Sequence, residues 1–76
     1  MAPWTKYKRR VGAQLQEARA AGHTIAEISR ASHGTLSESD VMLALNAGKL
    51  SRQQWYDLET TLKEIRKADA EEGGPP

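Results

Sequence analysis

Side chains able to do chemistry are few in this chain, and their spacing argues against most kinds of it. His23 and His33 stand ten positions apart, with no cysteine in the chain and no third ligand clustered with them. A metal site needs more donors than that, so no metal and no cofactor are expected. Both histidines read as capping or turn residues. Ser29, Ser32 and Ser37 lack neighbouring base and acid partners, so nucleophilic catalysis has no support and the chain is not read as an enzyme. What remains is binding chemistry. The run "KYKRR" places Lys6, Lys8, Arg9 and Arg10 within five residues, a density of cations suited to gripping phosphates without regard to base sequence. Four cations at a helix start oppose the helix dipole, so the cluster costs stability unless it has a use. Trp4 and Tyr7 stand among these cations and could stack on bases, although covering a core is the simpler role for both.

Charge is divided along the chain. Residues 1–34 carry six basic groups against two acidic ones, and residues 35–76 carry five against eight, within a net charge of +1. A basic front and an acidic rear would orient the molecule towards a polyanion. Seventy-six residues make one small domain with a modest core. The lack of cysteine suits a reducing cytoplasm. No apolar run approaches the ~20 residues of a membrane span. The basic start is followed by no apolar run, so it does not read as a signal peptide.

These groups have to be positioned by helices. Thr24 with Glu27, Ser37 with Asp40, and Ser51 with Gln54 each have the spacing of a capping box, and each cap contributes about 1 kcal/mol. Leu36 can staple onto Val41, and Leu50 onto Trp55. Gly22 and Gly48 each follow a helical pattern, where a left-handed residue belongs. The spacing predicts helices over about 5–21, 25–32, 38–47 and 52–68. Tyr7, Val11, Leu15 and Ala18 form the first apolar stripe; Ile25 and Ile28 the second; Val41, Ala44 and Leu45 the third; Trp55, Leu58, Leu62 and Ile65 the fourth. Within "VMLAL", at least one of Met42 and Leu43 is expected in the core, because the run is longer than one buried stripe needs. No segment alternates like a strand. Residues 1–4 read as a flexible arm, 5–70 as the folded domain and 71–76, with "GGPP", as a disordered tail.

The pattern Leu15-x3-Arg19, Thr24-x3-Ile28, Leu36-Ser37-x3-Val41-x3-Leu45-x2-Gly48-Lys49, then Trp55-x2-Leu58-x3-Leu62, resembles the helix-turn-helix domains of the phage λ repressor and Cro type over roughly residues 11–66. The resemblance implies an all-α, compact four-helix domain containing a λ-repressor-like helix-turn-helix. It implies a small phage- or bacterial-type transcriptional regulator, cytoplasmic and nucleoid-associated, that binds double-stranded DNA, usually as a homodimer. The third helix, about 37–46, would then enter the major groove. Ser37, Glu38, Ser39, Met42 and Asn46, with Leu43 beside them, would face the bases. Lys6, Lys8, Arg9, Arg10, Thr24, Lys49 and Arg52 would hold phosphates, with Arg30 either joining them or pairing with Glu27. Three features depart from that pattern. The turn "Ser32-His33-Gly34-Thr35-Leu36" is about two residues longer than is usual in the family; four helices are expected where the family usually has five; and the reading face carries an acid and large apolar groups but no Arg or Gln. The alternative is a protein-binding helical module that keeps the scaffold and offers Glu38, Asp40, Met42 and Leu43 to a partner protein.

Overall fold

The computed structural model describes residues 3–46 and 48–72, the last by its backbone alone. It is all-helical, with four helices and no strand among the described residues: α1 (Pro3–Ala20), α2 (Ile25–Ala31), α3 (Glu38–Leu45) and α4 (Arg52–Glu72). The three helix starts expected from caps are observed. The Thr24 hydroxyl accepts from the amide of Glu27 at 3.0 Å. Ser37 and Asp40 form a reciprocal box, at 3.1 and 3.0 Å. Ser51 and Gln54 form another, also at 3.1 and 3.0 Å.

Both outer boundaries differ from expectation. α1 starts at Pro3, so Pro3 and Trp4 are helical rather than part of an arm. Proline suits a first turn, where its missing donor costs nothing, and Trp4 packs against the core. The cations therefore begin one turn inside the helix, beyond the part of the dipole that would repel them most. α4 continues to Glu72, so residues 71 and 72 are helical rather than tail. Residues 1, 2 and 73–76 lie outside the described residues.

α1 and α4 run parallel. Tyr7 and Arg10 meet Glu59, Glu17 meets Arg66, and His23, just past the end of α1, meets Asp69. α2 packs on α4, and α3 packs on both α1 and α2. Between the helices lies one core of Val11, Leu15, Ile28, Leu36, Val41, Ala44, Trp55, Leu58 and Leu62. Leu50, half-buried, packs against it.

The turns explain how α3 is aimed. α1 ends in a Schellman turn: the His23 amide bonds the Ala18 carbonyl at 3.1 Å, with Gly22 at φ 105°. The longer α2–α3 turn is held from inside by serines. The buried Ser32 hydroxyl accepts from the Leu36 amide at 3.0 Å, and the Ser29 hydroxyl donates to the Leu36 carbonyl at 2.8 Å. His33 (φ 56°) and Gly34 (φ 88°) take consecutive left-handed conformations, and they reverse the chain between the two helices. Gly48 has a role that its sequence position does not announce. It lies so close to the end of α3 that a Cβ there would stand 2.8 Å from Leu43 Cδ2 and 2.9 Å from the Leu43 carbonyl oxygen. Its amide donates to that same carbonyl at 2.6 Å.

Candidate nucleic-acid interface

α3 buries Val41 and Ala44 and leaves its other side to solvent. Ser37, Glu38, Ser39, Met42, Leu43 and Asn46 are all exposed. Their spacing, 39 to 42 and 43, then 46, is that of a single helical face. Asp40 is occupied with its cap, so its charge is drawn against the α3 N-terminus. Glu38 takes no ion pair or side-chain hydrogen bond among the described residues. Neither Met42, 50% exposed, nor Leu43, 43% exposed, fills the core as expected of at least one of them. Val41, Ala44 and the half-buried Leu45 already occupy the inward side of so short a helix, which leaves no room for a fourth.

The basic run is not one patch. Helical winding deals its members to two sides of α1. Lys8 and Arg9, with Thr5, Gly12 and Ala13, line a groove of about 400 Å³ whose opposite wall is Ala44, Leu45, Gly48 and Trp55. These two cations therefore stand beside the C-terminal end of α3. Lys6 and Arg10 turn the other way, towards α4, and line a second groove with Trp4, Tyr7, Arg52 and Tyr56.

The expected phosphate-binding residues consequently fall into different situations. Arg10 pairs with Glu59 at 3.1 Å and lies over the Tyr7 ring, its carbon 5.2 Å from the ring centre. Arg52 lies over Trp4 at 4.8 Å. Lys49 is exposed just beyond α3. Arg30 is exposed and makes no pair with Glu27. Glu27 is instead bonded to His23. Thr24 caps α2 at the far end of the α1–α4 pair from the basic run, beside the His23–Asp69 contact. The structure does not bring it together with Lys6, Lys8, Arg9 or Arg10.

Two constellations lay beyond sequence reasoning because their members are far apart in the chain. The first is aromatic. Trp4 and Tyr7 stack with centroids 5.3 Å apart and planes 15° apart, and Tyr56 stands edge-on to both at 5.8 and 5.4 Å. The Tyr7 hydroxyl donates to Glu59 at 2.9 Å. Burial, reinforced by that bond to a carboxylate, holds its phenol well above the usual tyrosine range. The second is ionic. His23 Nε2 lies 2.7 Å from Asp69 and Nδ1 lies 3.2 Å from Glu27. Only the doubly protonated ring donates to both, and the bonds to Asp69 and then Glu27 raise its pKa above the usual histidine value. His33 lies apart from it, exposed in its turn, 4.0 Å from Glu64.

Compared with protein-family models, with curated proteins and with solved structures, the chain matches none.

Proposed function

We propose that this protein is a small sequence-specific DNA-binding regulator of the helix-turn-helix type, with α3 lying in the major groove of a duplex. One observation carries this reading: the outward face of α3 is uncommitted, and Lys8, Arg9 and Lys49 stand at its C-terminal end. Ser37, Ser39 and Asn46 would meet base edges, Met42 and Leu43 would meet thymine methyls, and Glu38 would accept from a cytosine amino group. Lys8, Arg9 and Lys49 would hold the flanking phosphates. Arg10, paired with Glu59, contributes less, and Arg52 lines the other groove.

Duplex binding measured at two salt concentrations tests this. Affinity should fall steeply with salt, since each phosphate contact contributes about −0.9 to the logarithmic slope. Lys8→Ala with Arg9→Ala should weaken binding to every sequence and flatten the slope by about two. Glu38→Gln removes one phosphate repulsion, so it should tighten non-specific binding and alter preference at no more than one base pair. Duplex binding indifferent to both changes would remove α3 and α1 from the interface and end the proposal.

The exposure of Met42 and Leu43 side by side favours a second reading, in which α3 packs on a partner protein. Absent or salt-independent duplex binding would favour it. Glu38→Gln would then loosen that protein complex instead.

A further inference from the structure

The second groove, between the N-terminal ends of α1 and α4, has the chemistry of a different ligand. It is an open cleft of about 690 Å³ lined by Pro3, Trp4, Lys6, Tyr7, Arg10, Arg52 and Tyr56, a volume within the roughly 300–1,000 Å³ of small-ligand clefts. Three aromatic rings and three cations line it, and among the described residues no acid does. The nearby Glu59 is turned inward, its side chain 17% exposed and held by Tyr7 and Arg10. A cationic ligand is therefore repelled, and a purely aliphatic one leaves Arg52 and Lys6 without a counter-charge among the described residues. A planar anion satisfies both rings and cations. Tyr56 is 45% exposed and meets Trp4 and Tyr7 only edge-on, so neither ring stacks parallel on it.

We infer that this groove binds unpaired nucleotides of a single-stranded nucleic acid, a base stacking on Tyr56 beside Arg52 while Lys6 and Arg52 hold the adjoining phosphates. Aromatic stacking with flanking cations is the general device for holding single strands with little sequence preference. Trp4 and Tyr7 act here as supports. They fix Tyr56 from below, and Trp4 carries the Arg52 guanidinium on its face. The site does not depend on α3, because it lies on the opposite side of α1 from Lys8 and Arg9.

The test is the fluorescence anisotropy of a labelled oligothymidylate with the intact protein at low salt. A strand of the same length with a base-free sugar-phosphate backbone is the reference. Oligothymidylate should bind more tightly than the base-free strand. Tyr56→Ala should weaken its binding roughly 5- to 150-fold, the range for loss of one stacked base. Tyr56→Leu, which keeps an apolar body but no π-face, should weaken it similarly, so the result does not hinge on how well the alanine variant folds. Lys6→Ala with Arg52→Ala should weaken both strands. Ser39→Ala with Asn46→Ala should leave oligothymidylate binding unchanged while altering duplex preference. The inference is overturned if oligothymidylate does not bind, if the base-free strand binds equally well, if both Tyr56 variants bind like the parent, or if the α3 changes abolish single-strand binding. Loss of duplex binding alone would count against the α3 reading and leave this one standing.

Discussion

At the N-terminal end of the α1–α4 pair, packed rings around one inward carboxylate, Glu59, do the fastening; at the C-terminal end, exposed charges do. Trp4, Tyr7 and Tyr56 close the first end, with Arg52 and Arg10 laid over two of the rings. His23, Glu27 and Asp69 close the second, with Arg66 pairing to Glu17 nearby. Ring contacts remove apolar area from water and respond little to salt or pH. Exposed ion pairs are screened and, where histidine is involved, titrate. One end should therefore be permanent and the other conditional. The proposed nucleic-acid grooves lie towards the permanent end, where Lys6 and Arg10 line one of them and Lys8 and Arg9 the other.

The largest expected effect falls on the core that both ends share. Trp55 is 4% exposed and packs with Val11, Leu58 and Leu62. Trp55→Ala should cost about 3–5 kcal/mol, a large share of the stability of a small domain, and should show as a strongly lowered Tm or partial unfolding at room temperature. A loss confined to a few degrees would mean that the two ends hold the helices together without the centre, and the contrast between them would carry more of the stability than proposed here.

A smaller effect separates the ends directly. Trp4→Ala should cost about 1–2 kcal/mol, from lost area and from the ring pairs with Tyr7 and Tyr56, by nearly the same amount at low and high salt. Arg66→Ala, which breaks a pair whose side chains are 66% and 72% exposed, should cost within about 0.5 kcal/mol and lose even that in salt. Chemical denaturation by urea at two salt concentrations reads both. If Trp4→Ala were the salt-sensitive variant, the cation over its ring would matter more than the stacking.

This contrast was only half legible in the sequence. Helix starts were readable because a cap is made by residues three apart, as with Thr24 and Glu27 or Ser37 and Asp40. The core stripes of α1 and α4 were readable because they repeat at helical spacing. The fastenings were not, because Tyr7 meets Glu59 across 52 positions and His23 meets Asp69 across 46, and no local pattern encodes such a pairing. Trp4 read as arm for the same reason: its partner Tyr56 sits beside the buried Trp55 and gives no sign of facing the other way. The close approach of Gly48 to Leu43 was not legible either, since it depends on how the chain leaves α3. The run "VMLAL" could not say which of its members were inside. Only the packing of α3 on α1 and α2 decided that Met42 and Leu43 stay out.

The smallest expected effect is the one that makes the C-terminal end conditional. The ring of His23 is surrounded by charge from three elements: Glu17 and Arg19 of α1, Glu27 of α2, and Arg66 and Asp69 of α4, with Arg19 donating to its own carbonyl at 2.8 Å. Its pKa is raised in the folded state, first by the bond to Asp69 and then by that to Glu27. A raised folded value means that protonation favours the fold. The stabilisation is fully present below the unfolded value of about 6.5 and disappears as pH rises through the higher folded value. Tyr7 is silent across this range, because its phenol is held protonated well above it. The Tm of the parent minus that of His23→Gln, followed from about pH 5 to about pH 9, should therefore start at a few degrees and decline towards zero, and the ring should titrate above 6.5 by proton NMR. Other ionisations cancel in the difference, so its shape belongs to His23 and its carboxylates. A flat difference would mean that Asp69 has swung away and that Ala18 and Ile65, which pack against the core there, hold this end by apolar contact alone. The fastening of the C-terminal end would then be apolar as well, and Asp69 would have no part in closing the fold.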